Sequence, residues 1–423
     1  MVHTVIVDNK VEAVLKGLLS SGGITIGILV GQVTKTKDFV LLAVQTPSLQ
    51  ELKENEDEKS SNSSEHFEDW WVIEHAKQVI NLLPGGLGVV GMFCVCSKEV
   101  LPSIQPRVAG ILPQLTPHPH TIFLHVCSLS GRTKGLVLHE QRGGFHPAEV
   151  KFQSNPVQLV QVESSIRLSS DCYTHLYGNT PQGLLKGIQA TVVDTVEEVF
   201  SRPLLKVSGR FVDEGDPILP KTRKNELSVP DGGIKLDILT RHPLHSEEGV
   251  NLLTRARRVG LTGCQSLTAY LHSRATYSDA LQAIKEDACR SLTSQLVALT
   301  EADTVHDTST GLSLSLPCRV SVTVPSAAWS FSEYSLPGED VKECEGRVCD
   351  LLGVASATAL LSSLCLESSS SSACPQDTPT DPQLDSVKPN QLESRSISSQ
   401  LWMFIAAVMV LIFAIATWAV VYS

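Results

Sequence analysis

The chain lacks any dense run of basic residues. Its 34 lysines and arginines are outnumbered by 45 aspartates and glutamates, for a formal net charge of −11. Nucleic acid is therefore excluded as a partner, because phosphate recognition needs clustered cations. Aromatic residues are scarce, at 5%, so cores must be built from Val, Leu and Ile. The 11 cysteines are an odd number without a repeating C-x-x-C frame, which excludes a disulfide scaffold and a zinc ribbon. Also missing are a G-x-S-x-G serine turn, a G-x-x-x-x-G-K-[ST] phosphate loop and an H-E-x-x-H helix, the marks of serine hydrolases, P-loop nucleotide binders and zinc proteases. The opening MVHTVIVDNKVEAVLKG has no apolar run long enough for a signal peptide, since Asp8 and Lys10 interrupt it.

What the chain does have is aliphatic bulk. Hydrophobic residues make up 42% and charged residues 19% of 423, enough to bury cores in two or three domains. From Leu401 to Tyr422 the sequence reads LWMFIAAVMVLIFAIATWAVVY, without one charge. As a helix at ~1.5 Å per residue this run spans about 33 Å, against about 30 Å for a bilayer's hydrocarbon core. Trp402 stands at one end and Trp418 and Tyr422 at the other, where aromatic rings prefer the interface. Lys388 and Arg395 flank only the large side, and only Ser423 follows. The expectation is a tail anchor in the lipid bilayer, inserted after synthesis, with the bulk of the chain cytosolic and its cysteines reduced.

Two stretches resist folding on composition. Glu51–Asp69 holds eight acids and two lysines, and reads as a disordered acidic insert. Glu367–Gln400 holds ten serines and four prolines, and reads as a flexible linker. Between them the patterning predicts a mixed α+β (α/β) chain. Residues 1–150 form a first domain: helical spacing at Val11, Val14, Leu15, Leu18 and Leu19, a hairpin of Ile24–Val30 and Phe39–Val44, a helix over Phe67–Leu83 stopped by Pro84-Gly85-Gly86, a strand at Leu87–Cys96, and further strands at Ile122–Val126 and Leu136–His139. Residues 155–366 form a second domain that repeats strand-then-helix three times: Val157–Leu168 with a helix capped by Thr180, Leu267–Leu271 with a helix capped by Ser278, and Val320–Val324 with a helix over Val341–Leu351. Arg202–Pro243, rich in Pro, Gly and charge, reads as an irregular connection.

Candidate chemistry is sparse. His118-Pro119-His120 with His125 is the best metal set by composition, but no acid or cysteine at tight spacing completes it, and two prolines favour a loop. Cys94 and Cys96 share one strand face and read first as small apolar side chains. Cys172 and His175 lack a third group for a dyad. Asn62-Ser63-Ser64 is a glycosylation sequon that only a lumenal chain could use.

Gly27-Ile28-Leu29-Val30-Gly31, the strand through Pro47, the helix after it and Val90-Gly91-Met92-Phe93 resemble the MPN (Mov34/JAB) fold. Its metalloproteases hold zinc with a Glu, a His-x-His and an Asp. The resemblance puts those positions at Ile24, at Cys94 and Cys96, and at Arg107. Isoleucine cannot ligate zinc and an arginine would repel it. The resemblance thus implies a catalytically dead scaffold with no metal and no cofactor. Over most of its length the chain is also similar to the odorant response abnormal protein 4 family. The similarity rests on GILVGQVTKTKDFVLLAVQTP (27–47), EHAKQVINLLPGGLGVVGMF (74–93), TAYLHSRATYSDALQAIKED (268–287) and the terminal apolar run. That resemblance implies a non-enzymatic adaptor of the endoplasmic reticulum membrane. Its partners would be the ubiquitin-fold-modifier-specific cysteine protease, which it recruits, and multispanning receptors, whose maturation and trafficking it assists. The rival readings are a thiol isopeptidase using one of the cysteines, and a purely structural membrane tether.

Overall fold

The computed structural model describes residues 3–20, 23–34, 37–48, 67–116, 118–139, 144–175, 203–219, 233–239, 256–301, 312–314, 317–336, 339–354 and 360–364, with a few positions in 193–201. Residues 51–66 of the insert, the Ser/Pro linker and the apolar run with Leu401, Trp402, Trp418 and Tyr422 lie outside these, as do Asn62 and the Thr180 cap, whereas Glu68 and Asp69, read as insert, cap and open a helix. Among the described residues no helix is long and apolar enough to cross a membrane.

Short β-branched runs build the first half. His3–Asp8 (β1), Thr25–Val33 (β2), Asp38–Gln45 (β3), Gly88–Cys96 (β4), His120–Cys127 (β5), Thr133–His139 (β6) and Phe145–Gln153 (β7) close into a barrel ordered β1-β3-β2-β4-β5-β6-β7. Strand β1 is the closing stave, parallel to both β3 and β7. Side chains alternate between two faces. One set, including Val5, Val7, Val40, Phe93, Val95, Ile122, Leu124 and Val137, fills the interior and receives Val11 and Leu15 from Asn9–Gly17 (α1). The other set, including Ile28, Val44, Met92, Cys94, Cys96 and Leu136, faces outward under Asp69–Leu82 (α2) and Leu101–Leu115 (α3).

The sequence reading misses β1 and α3. Helix α3 carries Pro102 in its first turn, where no backbone N–H is needed, and Pro106 and Pro113 further along. These prolines mask a regular apolar face of Leu101, Ile104, Val108, Ile111, Leu112 and Leu115.

In the second half, Leu159–His175 (β8) and Ala256–His272 (β12) pair antiparallel along their whole lengths. They centre a six-stranded sheet with Leu204–Val207 (β9), Arg210–Val212 (β10), Ile234–Leu239 (β11) and Leu312–Leu314 (β13), ordered β10-β9-β11-β8-β12-β13. This corrects the expected irregular connection over 202–243. Ser208 and Gly209 both have positive φ, 49° and 82°, the tight-turn geometry that joins β9 to β10 as a hairpin. The helix Tyr277–Glu301 (α4) covers one sheet face with Ala280, Ala283, Ile284, Ala288, Leu292 and Leu296. Its cap is Thr276 rather than Ser278: the Thr276 Oγ1 accepts from the Asp279 N–H at 3.3 Å, and the Asp279 carboxylate accepts from the Thr276 N–H at 2.9 Å.

A third sheet, Ser330–Ser335 (β15), Cys318–Thr323 (β14) and Leu360–Leu364 (β16), runs in the order β15-β14-β16. Strand β15 intervenes in what the sequence reads as a simple strand–helix unit. The helix Val341–Leu352 (α5) is capped by Asp340 and ended by Gly353 at φ 64°. Cys344, Val348 and Cys349 of α5, with Val320, Val322 and Phe331, join the same apolar core as Val72, Ala76 and Val79 of α2. Residues Met1–Ala373 accordingly form one compact unit.

His75 fastens that shared core. It is buried, with Nδ1 3.2 Å from Thr46 Oγ1 and Nε2 2.9 Å from the Leu351 carbonyl. A carbonyl only accepts, so Nε2 carries the proton and Nδ1 accepts from Thr46. Burial, against the pull of the Leu351 carbonyl, lowers the pKa of His75 below its ordinary 6.5. The unfolded chain therefore takes up this proton more readily, and the stability due to neutral His75 is lost as pH falls below about 6.5. Urea midpoints measured at pH 7.5 and pH 5.5 should fall further for the wild type than for His75→Gln, which has no proton to gain. Equal falls would show that His75 does not couple α2 to α5 through its charge state.

Candidate functional site

The positions matched to a zinc protease do not converge on a site. Ile24 is half-buried against the outer core. Cys94 and Cys96 lie on the outward face of β4, both wholly buried. His125 joins them from β5, with Nε2 3.3 Å from the Cys96 carbonyl. The hydrogen bond from Cys94, opposed by burial and assisted by His125, lowers the Cys96 pKa; the same pairing and burial push Cys94 up. A thiolate nucleophile must meet its substrate, and neither sulfur reaches solvent. Arg107 stands on α3, its guanidinium bonded to Asp69 at 2.5 and 3.0 Å and to the Phe67 carbonyl, and stacked 4.1 Å from the Phe67 ring centroid. It pins the start of α2, at the end of the acidic insert. Cys172 and His175 lie on β8, where their side chains are outside the description.

The histidine stretch divides. His125 faces outward with the cysteines, and His118 precedes β5. Only His120 takes the inward register, two residues before Ile122. There it meets Asp38, two residues before inward Val40, and His3, two residues before inward Val5. The three occupy the same mouth of the barrel. Asp38 is 0% exposed, and its Oδ2 meets His120 Nε2 at 3.0 Å and His3 Nε2 more closely still. The three donor atoms lie within 4.8 Å of one another. Asp38 Oδ1 has no hydrogen-bond partner among the described residues. Burial opposes the charge on Asp38, but the hydrogen bonds of His120 and His3 outweigh it and hold the carboxyl below its ordinary value. The bond to Asp38, against burial, raises His120 in turn. His139, with its ring centroid 5.8 Å from that of His120, and His146, 5.7 Å beyond, complete a histidine-lined rim. The sequence holds one signal of this cluster, a polar residue at the inward position opening each strand. The signal becomes readable once β1, β3 and β5 are known to meet.

A second polar locus joins the two halves. Pro84-Gly85-Gly86 seats against β12 and α4: the Gly85 N–H donates to the Thr268 carbonyl at 3.0 Å and the Tyr270 N–H to the Gly85 carbonyl at 2.9 Å. Arg290 Nη1 donates to the carbonyls of Pro84 at 3.1 Å and Leu87 at 2.9 Å. Buried Gln32 donates to the Gly86 carbonyl at 2.9 Å and accepts from the His272 N–H at 3.0 Å. This turn lies in the distinctive 74–93 stretch, and its partners lie in and beside 268–287. The two sequence signatures are one joint.

Known proteins resemble the chain over most of its length. The chain is 25% identical to the protein odr-4 homolog of Mus musculus over 390 residues, covering 83% of each chain. It is 24% identical to the Homo sapiens homolog over 389 residues, again 83% of each. Against odorant response abnormal protein 4 of Caenorhabditis elegans it is 20% identical over 254 residues, 56% of this chain and 52% of that one. Among solved structures, the crystal structure of UfSP from C. elegans superposes at a TM-score of 0.43 and 9% identity, over 83% of this chain and 57% of that one. The profile described as "ODR4-like: Odorant response abnormal 4-like" matches residues 27–363, spanning both signatures, the barrel from β2 onward and the two further sheets, and the chain belongs to that family.

Proposed function

We propose that this protein is a non-enzymatic adaptor, held in the endoplasmic reticulum membrane by Leu401–Tyr422, with its folded unit in the cytosol. The barrel serves as an MPN-like scaffold whose catalytic positions have been given over to structure. The observation that carries this reading is the fate of those positions: Cys94 and Cys96 are sealed in the core, and Arg107 is committed to Asp69 and Phe67. The partner is the ubiquitin-fold-modifier-specific cysteine protease, which the adaptor brings to membrane substrates such as multispanning receptors. Tethering raises the effective concentration of protease at the bilayer, within the reach of the linker.

Cell fractionation tests this division of labour. Deleting 401–422 should leave co-purification of the protease intact while moving both proteins to the cytosol. An unrelated apolar helix of similar length, directed to the same membrane, should return both. If the swapped anchor relocates this chain but not the protease, the span itself is part of the binding surface and the adaptor reading fails. A thiol-directed modifier probe should leave the chain unlabelled; labelling at Cys96 would favour the isopeptidase reading.

A further inference from the structure

We propose that His3, Asp38 and His120 bind a first-row divalent metal ion at the mouth of the barrel, pinning β1 across it. The inference is independent of the adaptor reading, and it departs from the metal-free expectation, which weighed only the protease positions and the 118–125 histidines.

Three observations carry it. The first is convergence. Two imidazole Nε2 atoms and a carboxylate oxygen, from three different strands, lie within 4.8 Å of one another. Zinc bonds of about 2.0–2.1 Å in a tetrahedron place ligand atoms roughly 3.3 Å apart, close to the 3.0 Å between Asp38 Oδ2 and His120 Nε2. The second is the orphan oxygen. Asp38 is wholly buried, yet Oδ2 takes both histidines while Oδ1 takes no partner. A buried carboxylate with one unsatisfied oxygen is costly. A divalent cation at its edge would offset that buried charge. The third is access with rigidity. The His3 and His120 side chains keep 24% and 16% exposure. The backbones behind the donors are paired strands, which hold ligands better than loops.

Two neutral imidazoles and one carboxylate suit zinc and its first-row neighbours rather than magnesium or calcium, which favour all-oxygen shells. Three protein ligands leave at least one coordination position open, and the His139 ring lies near both histidines, with centroids 6.2 Å from His3 and 5.8 Å from His120. Because His3 comes from β1, Asp38 from β3 and His120 from β5, a bound ion would lock the closing stave to the opposite wall.

The test uses the full chain in detergent, stripped by chelation and titrated with Zn(II) and, separately, with Co(II). Wild type should bind about one equivalent of either ion, with a Co(II) ligand-field spectrum of a nitrogen- and oxygen-ligated site. Zinc should raise its melting temperature, since the ion binds only the folded form. Asp38→Asn and His3→Ala should each bind at least about tenfold more weakly and lose the melting shift. His118→Ala, which alters a neighbouring histidine outside the triad, should match wild type. His3→Ala guards against misfolding, because it trims a half-buried side chain at the first described position of the stave, and circular dichroism should report an intact fold. The proposal is overturned by an absence of saturable binding in wild type, by undiminished binding in both triad variants, or by an equal loss in His118→Ala.

Discussion

Replacing Arg319 with methionine should destabilise the fold by about 3–5 kcal/mol, the usual cost of stripping one partner from a buried ion pair. Arg319 and Asp287 are 5% and 1% exposed and meet through two parallel bonds of 2.7 and 2.8 Å. The guanidinium also donates to Ser332 Oγ at 2.6 and 2.9 Å and to the Ser266 carbonyl at 2.8 Å. The carboxylate accepts from the Thr268 N–H at 2.9 Å. Methionine fills similar space but leaves Asp287 buried and uncompensated. Adding Asp287→Leu should recover part of the loss, because two apolar groups carry no stranded charge. Urea unfolding followed by the fluorescence of Trp329, buried in the adjoining core, would measure both. A loss of under about 1 kcal/mol for the single variant would place this pair among exposed ion pairs in strength, contrary to its burial.

Gly85→Ala should be nearly as damaging, for a steric reason. A Cβ at Gly85 would sit 2.0 Å from the Ala283 carbonyl oxygen, with Asp287 Cβ at 3.2 Å. Backbone oxygen cannot rotate aside, so the turn must lift from α4 and take the Thr268 and Tyr270 bonds with it. The expected cost is at the upper end of overpacking, about 3 kcal/mol. Gly88→Ala is the control three residues away: its added Cβ meets nothing within 4 Å, and reduced freedom of the unfolded chain makes it neutral or slightly stabilising. Equal effects from the two would mean that the Pro84-Gly85-Gly86 turn does not bear on α4.

How legible these features were in the sequence depended on distance along the chain. The hairpin of β2 and β3, helix α2, strand β4 and helix α5 follow from local apolar spacing and nearby turn residues, all within one window of reading. Helix α3 escaped because Pro106 and Pro113 outweighed its apolar face. Strand β1 escaped because its six residues have meaning only beside β3 and β7, 33 and 145 positions later in register. The His3–Asp38–His120 cluster failed for the same reason doubled: its members are spread over three strands, and of the neighbouring histidines His125 faces outward and His118 precedes β5. The buried Arg319–Asp287 pair likewise joins residues that look like ordinary surface charges until α4 is laid on the sheet.

The core shared by α2 and α5 has a consequence for synthesis. The apolar face of Val72, Ala76 and Val79 leaves the ribosome early, but Val348, Cys349 and the Leu351 carbonyl that accepts from His75 follow some 270 residues later. Until then that face is covered only by the barrel strands and α3, and its α5 side stays bare. Contacts so distant are slow to form, and a nascent chain with bare apolar surface invites aggregation. Ribosome-bound intermediates of this protein should therefore be held by chaperones until α5 emerges, and a premature stop just before Val341 should yield a product that is degraded rather than a smaller folded protein.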